Sequence, residues 1–126
     1  MPHPSSFMLH ASFELSPQAI VSPAKCRNKA EAFAEIAAMA AKTYALDSIE
    51  VEDVLLARER LGSTGFGRAI AIPHGRVNGL HRPVMIMLRP SRALAWDAVD
   101  DLPVDLIVAL LSPETGGALH LKALAE

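Results

Sequence analysis

The chain has 126 residues, a mass of 13.5 kDa and a 51% apolar composition, so one ordinary domain with its own core fits and intrinsic disorder does not. Twelve basic and fourteen acidic residues leave a formal charge of −2, which gives no general attraction to nucleic acid or to an anionic membrane. The single cysteine, Cys26, excludes an internal disulfide and a multi-thiolate metal site, and apolar runs such as Leu106 to Leu111 are too short to span a bilayer.

Residues 1–14 read as a leader without the basic-then-apolar pattern of a secretory signal, so a cytoplasmic single domain over 1–126 is expected. Ile20 and Val21 predict a short strand near Ser22, closed by Pro23. Asn28 is placed to cap a helix running to about Tyr44, with Phe33, Ile36, Ala37, Ala40 and Tyr44 on its buried face. A second helix starts near Ser48 or Glu50, where Glu50, Glu52 and Asp53 complement the dipole. It runs through Val54, Leu55 and Leu61 to a stop at Gly62. A loop of small residues, Gly62 to Gly67, leads into the apolar stretch Ala69 to Ile72, halted by Pro73. Val84 to Leu88 and Val104 to Leu111 are continuous apolar runs, the pattern of strands covered on both faces. After Gly116-Gly117, the spacing of Leu119, Leu121 or Lys122, and Leu124 predicts a last helix. This order predicts an α/β domain with a mixed β-sheet layered between α-helices. The chain stops at Glu126 without a capping signal, which reads as a C-terminally truncated domain.

Chemistry-bearing residues concentrate between Arg58 and Gly75. Three glycines and two hydroxyls within Gly62 to Gly67 make a backbone that can turn sharply and aim N–H groups at an anion; a plain surface turn is the competing reading. Gly62 and Gly67 have P-loop spacing, but Arg68 and Ala69 stand where the phosphate-reaching Lys and the magnesium-binding hydroxyl belong. The order helix, loop, strand is also the reverse of a P-loop, so ATP binding is rejected. Arg58 falls on the apolar stripe set by Val54, Leu55 and Leu61 and therefore needs an anionic partner, either a structural carboxylate such as Asp105 or Glu59, or a ligand. His74 lies just past an apolar stretch, between a proline and a glycine, and beside this loop it becomes a nucleophile candidate rather than an ordinary histidine. His120 is near a predicted helix N-terminus, which favours neutral imidazole and an anion nearby. His3, His10 and His81 have no such setting, and no close histidine pair marks a zinc site.

Arg58-Glu59, Gly62-Ser63-Thr64-Gly65-x-Gly67 and Ala69-Ile70-Ala71-Ile72-Pro73-His74-Gly75 together resemble the signature of enzyme IIA proteins of the bacterial phosphotransferase system. The class is fructose/mannitol, and within it the nitrogen-regulatory branch is most similar. Pro103 to Leu111 and His120-Leu121-Lys122-x-Leu124 resemble later family blocks in the same order, so the likeness runs from Leu15 to Glu126. Ala69 stands where the family usually has glycine, and Phe66 where an aliphatic residue is usual. The resemblance implies a mixed sheet between helices, with His74 phosphorylated, Arg58 steadying the phosphoryl group and His120 beside it. Backbone N–H groups around Ser63, Thr64, Gly65 and Gly67, with the two hydroxyls, would then hold phosphate oxygens. No metal or organic cofactor is implied. The donor implied is a small phosphocarrier protein (HPr/NPr-like). Two downstream roles are compatible with the branch: regulation of targets such as sensor kinases and potassium transporters, or passage of phosphate to a sugar-specific IIB domain. The missing fused IIB domain leans towards regulation. A rival is an anion-binding regulatory module that is never phosphorylated.

Overall fold

Helix α1 (Lys29–Tyr44) begins where the sequence places its cap. The Asn28 side chain accepts from the Glu31 amide at 2.8 Å, and the Glu31 carboxylate accepts in return from the Arg27 amide at 2.9 Å. Ala45 closes the helix in a left-handed conformation, φ 57°. Helix α2 (Ser48–Leu61) is capped by Asp47, whose carboxylate accepts from Ile49 and Glu50. The computed structural model describes residues 13–114, so the predicted last helix and His120 lie outside the described residues.

Six strands form one mixed sheet: β1 (Glu14–Ala24), β2 (Gly65–Gly67), β3 (Ile70–Ala71), β4 (His74–Val77), β5 (Val84–Pro90) and β6 (Leu106–Pro113). Their order is β1-β5-β6-β3-β2, with β4 also paired to β6. β1 is parallel to β5, β5 antiparallel to β6, and β3 and β4 both parallel to β6. Strand β1 is longer than predicted, and Pro23 does not close it. Within the described residues β1 pairs only with β5, and an edge strand tolerates proline because half of its amides need no partner. Its register shifts bracket Pro17 and Pro23.

Val84, Ile86 and Leu88 of β5 lie opposite Leu111, Ala109 and Ile107 of β6, and all six are buried. Opposed residues of an antiparallel pair share a face, and this face joins Phe33, Ile36, Val51 and Leu55 of the helices in one core. Full burial of each large member stabilises by about 1.5–3 kcal/mol, so this contact is the main reason the helices stay on the sheet. Met85, Met87 and Val108, on the opposite face, are only half-buried, so β5 and the start of β6 alternate where continuous burial was predicted, while Ala109 to Ser112 of β6 are buried without a break as expected. Leu61 also departs from its predicted place on the apolar stripe. It is 85% exposed, because the stripe of α2 narrows to Val51 and Leu55 before the helix ends.

The sequence reading missed β2 and β4. Strands β3 and β4 follow the same line along β6: Ile70 and Ala71 oppose Leu106 and Ile107, and His74 and Gly75 oppose Leu110 and Leu111. The interruption is Ile72-Pro73, where proline has no N–H to give the ladder. The Pro73 carbonyl still accepts from the Leu110 amide at 2.9 Å, so the register survives the break. His74 therefore follows one strand, as expected, and also opens another. No helix among the described residues is long and apolar enough to cross a membrane.

Candidate functional site

The break before β4 shapes the histidine. His74 Nδ1 lies 3.0 Å from the Ile72 carbonyl, and Nε2 lies 3.2 Å from Arg58 Nε. A guanidinium nitrogen can only donate, so Nε2 must be the acceptor. Nδ1 then carries the ring proton and donates it to Ile72. The tautomer is thus fixed from both ends, with the Nε2 lone pair directed at Arg58.

Arg58 reaches His74 from the last turn of α2. Its Nη1 donates to the Gly62 carbonyl at 2.8 Å, four residues on, which satisfies a free carbonyl at the helix end. Neither Asp105 nor Glu59 pairs with it, and among the described residues Arg58 forms no ion pair. A half-buried cation beside an imidazole lone pair, with no carboxylate, leaves room for an external anion.

The loop hydroxyls face other partners. Ser63 Oγ donates to the Trp96 carbonyl at 2.9 Å and accepts from the Gly65 amide at 3.0 Å. Thr64 Oγ1 donates to the Glu59 carboxylate and accepts from the Trp96 indole N–H at 3.3 Å, while the Thr64 amide donates to Glu59 at 3.1 Å. Gly65 is required by close approach: a Cβ there would sit 2.7 Å from Ala98 Cβ. The turn from β2 to β3 holds Arg68 and Ala69 at φ 56° and 67°, and the Arg68 amide donates to Asp100 at 2.8 Å. That bond, with a second from the Leu102 amide, holds the Asp100 carboxyl below the usual carboxylate range.

Of the residues singled out from sequence, the fold brings Arg58, His74 and the Gly62 carbonyl together. It turns the Ser63 and Thr64 hydroxyls to Trp96 and Glu59, and His120, His3 and His10 lie outside the described residues. His81 is exposed in the turn before β5. Sequence reasoning missed the polar cluster behind the loop, made by Lys29, Glu59 and Trp96. The one available signal was a lone tryptophan in an aromatic-poor chain.

Residues 14–126 match the family described as the phosphoenolpyruvate-dependent sugar phosphotransferase system, EIIA 2. A nitrogen regulatory protein of Bradyrhizobium diazoefficiens is 41% identical over 112 residues, covering 89% of this chain and 73% of that protein. The nitrogen regulatory protein of Escherichia coli K12 is 37% identical over 118 residues, covering 93% of this chain and 72% of its own. Among solved structures, the nitrogen regulatory protein IIA-Ntr of Neisseria meningitidis superposes with a TM-score of 0.80 at 36% identity, over 88% of this chain and 76% of that one.

Proposed function

This chain belongs to the EIIA 2 family of the phosphotransferase system, and on that premise we propose that it accepts a phosphoryl group on His74 Nε2 and serves as a regulator. The observation that carries the reading is the fixed tautomer, which leaves Nε2 unprotonated beside an uncompensated guanidinium. The donor is a small phosphocarrier bearing a phosphohistidine. As the donor approaches, the Nε2 lone pair forms the new N–P bond in line with the N–P bond that breaks. The broken bond's electron pair returns to the donor imidazole. The His74 proton stays on Nδ1, where the Ile72 carbonyl stabilises the charge that develops on the ring.

Arg58 has two positions in this scheme. At rest its Nε–H rests on the lone pair of Nε2. The incoming phosphoryl group, being anionic, draws the guanidinium onto its oxygens and thereby uncovers the nucleophile. The Thr64 and Gly65 amides are already taken by Glu59 and the Ser63 hydroxyl, so backbone donors to the phosphate come in this reading from the other amides of the Ser63–Gly67 segment, and His120 would supply a further donor. The Ser63 and Thr64 hydroxyls keep their bonds to Trp96 and Glu59 in this reading, so they shape the loop and do not hold oxygens. The regulatory output is supported by the names of the similar proteins, which are nitrogen regulatory proteins. It takes the form of target binding that differs between the phosphorylated and free chain.

The test is phosphoryl transfer from phosphoenolpyruvate through purified enzyme I and an HPr/NPr-like carrier. Label should appear on the chain, survive base and be lost in acid, as a phosphohistidine requires. His74→Ala should take no label. Acid-stable label, or undiminished labelling of the variant, refutes the assignment. Rapid onward passage to a IIB domain would move the output from regulation to transport.

A further inference from the structure

We propose that Lys29 and Glu59 are positioning residues: they hold the Gly62–Gly65 segment in place and, through the Gly62 carbonyl, set the Arg58 guanidinium on His74 Nε2. The consequence for transfer rests on the reading of His74 as acceptor; the positioning itself does not.

The Glu59 side chain is only 8% exposed, and a carboxylate so buried needs full compensation. It receives three donors: Lys29 Nζ at 2.8 Å, the Thr64 amide at 3.1 Å and the Thr64 hydroxyl. Lys29, 23% exposed, spends a second N–H on the Trp96 carbonyl at 2.9 Å and lies 5.1 Å from the centre of the indole ring. The same carbonyl takes the Ser63 hydroxyl, and the indole N–H returns to Thr64. Ser63 and Thr64 are therefore clamped by side chains of two helices and by a segment more than thirty positions away.

A turn that merely joins a helix to a strand needs none of this. A buried ion pair is weak support for stability, since apolar replacements of similar volume are often as stable. What the pair does here is local. Glu59 and Arg58 are consecutive on α2 and so leave the helix in different directions. Glu59 anchors the loop from inside; Arg58 takes the carbonyl of that anchored loop as its rest, at 2.8 Å, and meets His74 at 3.2 Å. If the loop shifts, the rest shifts, and the guanidinium with it.

The experiment compares the wild-type chain with Lys29→Met, Lys29→Met/Glu59→Leu and Thr64→Val. Each is followed by thermal unfolding, by the Arg58 Nε–H and His74 ring nitrogen resonances, and by transfer kinetics. Lys29→Met should lose stability, because Glu59 is left buried without its counter-charge, and the double variant should recover part of it, the Thr64 amide and hydroxyl having lost their acceptor. In the folded double variant and in Thr64→Val the Arg58 Nε–H signal should broaden or be lost. Turnover at saturating donor should fall about 10-fold or more, because small displacements of a positioned group cost that much. KM for the donor should stay within roughly 2-fold, since the loop acts on the reacting geometry and not on docking. A wild-type resonance pattern in both folded variants, or wild-type turnover with stability restored, overturns the proposal. If the wild-type chain takes no phosphoryl group, the reading of His74 fails on its own, and the resonances alone decide the positioning.

Discussion

Arg58 enters a half-buried position with one backbone carbonyl and one imidazole for company, neither of which carries a negative charge. If His74 accepts a phosphoryl group as proposed, the value of Arg58 lies in shape as much as in charge, because a planar fork can keep one N–H on Gly62 while offering others to phosphate oxygens. Arg58→Lys should therefore leave the fold intact and slow phosphoryl acceptance at saturating donor by about 10-fold or more, comparable to removal of one stabilising donor at roughly 3 kcal/mol. Equal rates would make Arg58 structural. That Arg58 was special could be read from its place on the apolar stripe; that His74 was its partner could be read only through the family resemblance. The direction of the Ser63 and Thr64 hydroxyls could not be read at all. It depends on Trp96, which no local pattern brings next to residue 64.

Strand β4 lies so close to α2 that a side chain between them has no space: a Cβ on Gly75 would stand 2.2 Å from Val54 Cγ1. Gly75→Ala should cost about 1–3 kcal/mol by overpacking, and Val54→Ala in the same chain should return part of it. Urea unfolding of the four-member cycle measures the coupling. The β2–β3 turn carries the opposite fault, excess substitution at positions that want none. Ala69 at φ 67° pays the steric penalty of the left-handed region, so Ala69→Gly should stabilise by about 1 kcal/mol, seen as a higher urea midpoint at unchanged slope. No change would mean that the Asp100 bond to Arg68 dictates the turn regardless. Both helices were legible in the sequence, because Asn28, Gly62 and the spacing of Phe33, Ile36 and Ala40 are local signals. Strands β2 and β4 were not. They are three and four residues long, and β4 exists because β6, some thirty-six positions later, offers it a partner.

Across the whole molecule, the layers were predictable while the cross-links between distant segments were not. The class of fold followed from element order, whereas the clamp of the 97–102 segment on the β2–β3 turn rests on one carboxylate. Asp100 is held below the usual carboxylate range by the Arg68 and Leu102 amides. A depressed group stabilises the fold above its unfolded value and loses that contribution as pH falls through the folded one. Acid should thus release this clamp in a single step below the ordinary carboxylate range. The Arg68 and Leu102 amide resonances should move together, and Asp100→Asn should abolish the step. Independent movement of the two amides would show that Asp100 does not join them.

Trp96 has a separate consequence. It is the chain's one tryptophan, it is 1% exposed, its ring meets Phe33 edge-on at 5.5 Å, and its indole N–H bonds the loop through Thr64. Ultraviolet light at the long-wavelength end of protein absorption therefore excites a single chromophore that touches both the core and the Gly62–Gly65 loop. Its emission is a label already in place: loop opening should change intensity through the lost indole bond and the displaced ammonium, while only full unfolding should carry the band to the red. Unmodified protein, at micromolar concentration and in real time, can thus report whether the loop moves when a phosphocarrier arrives.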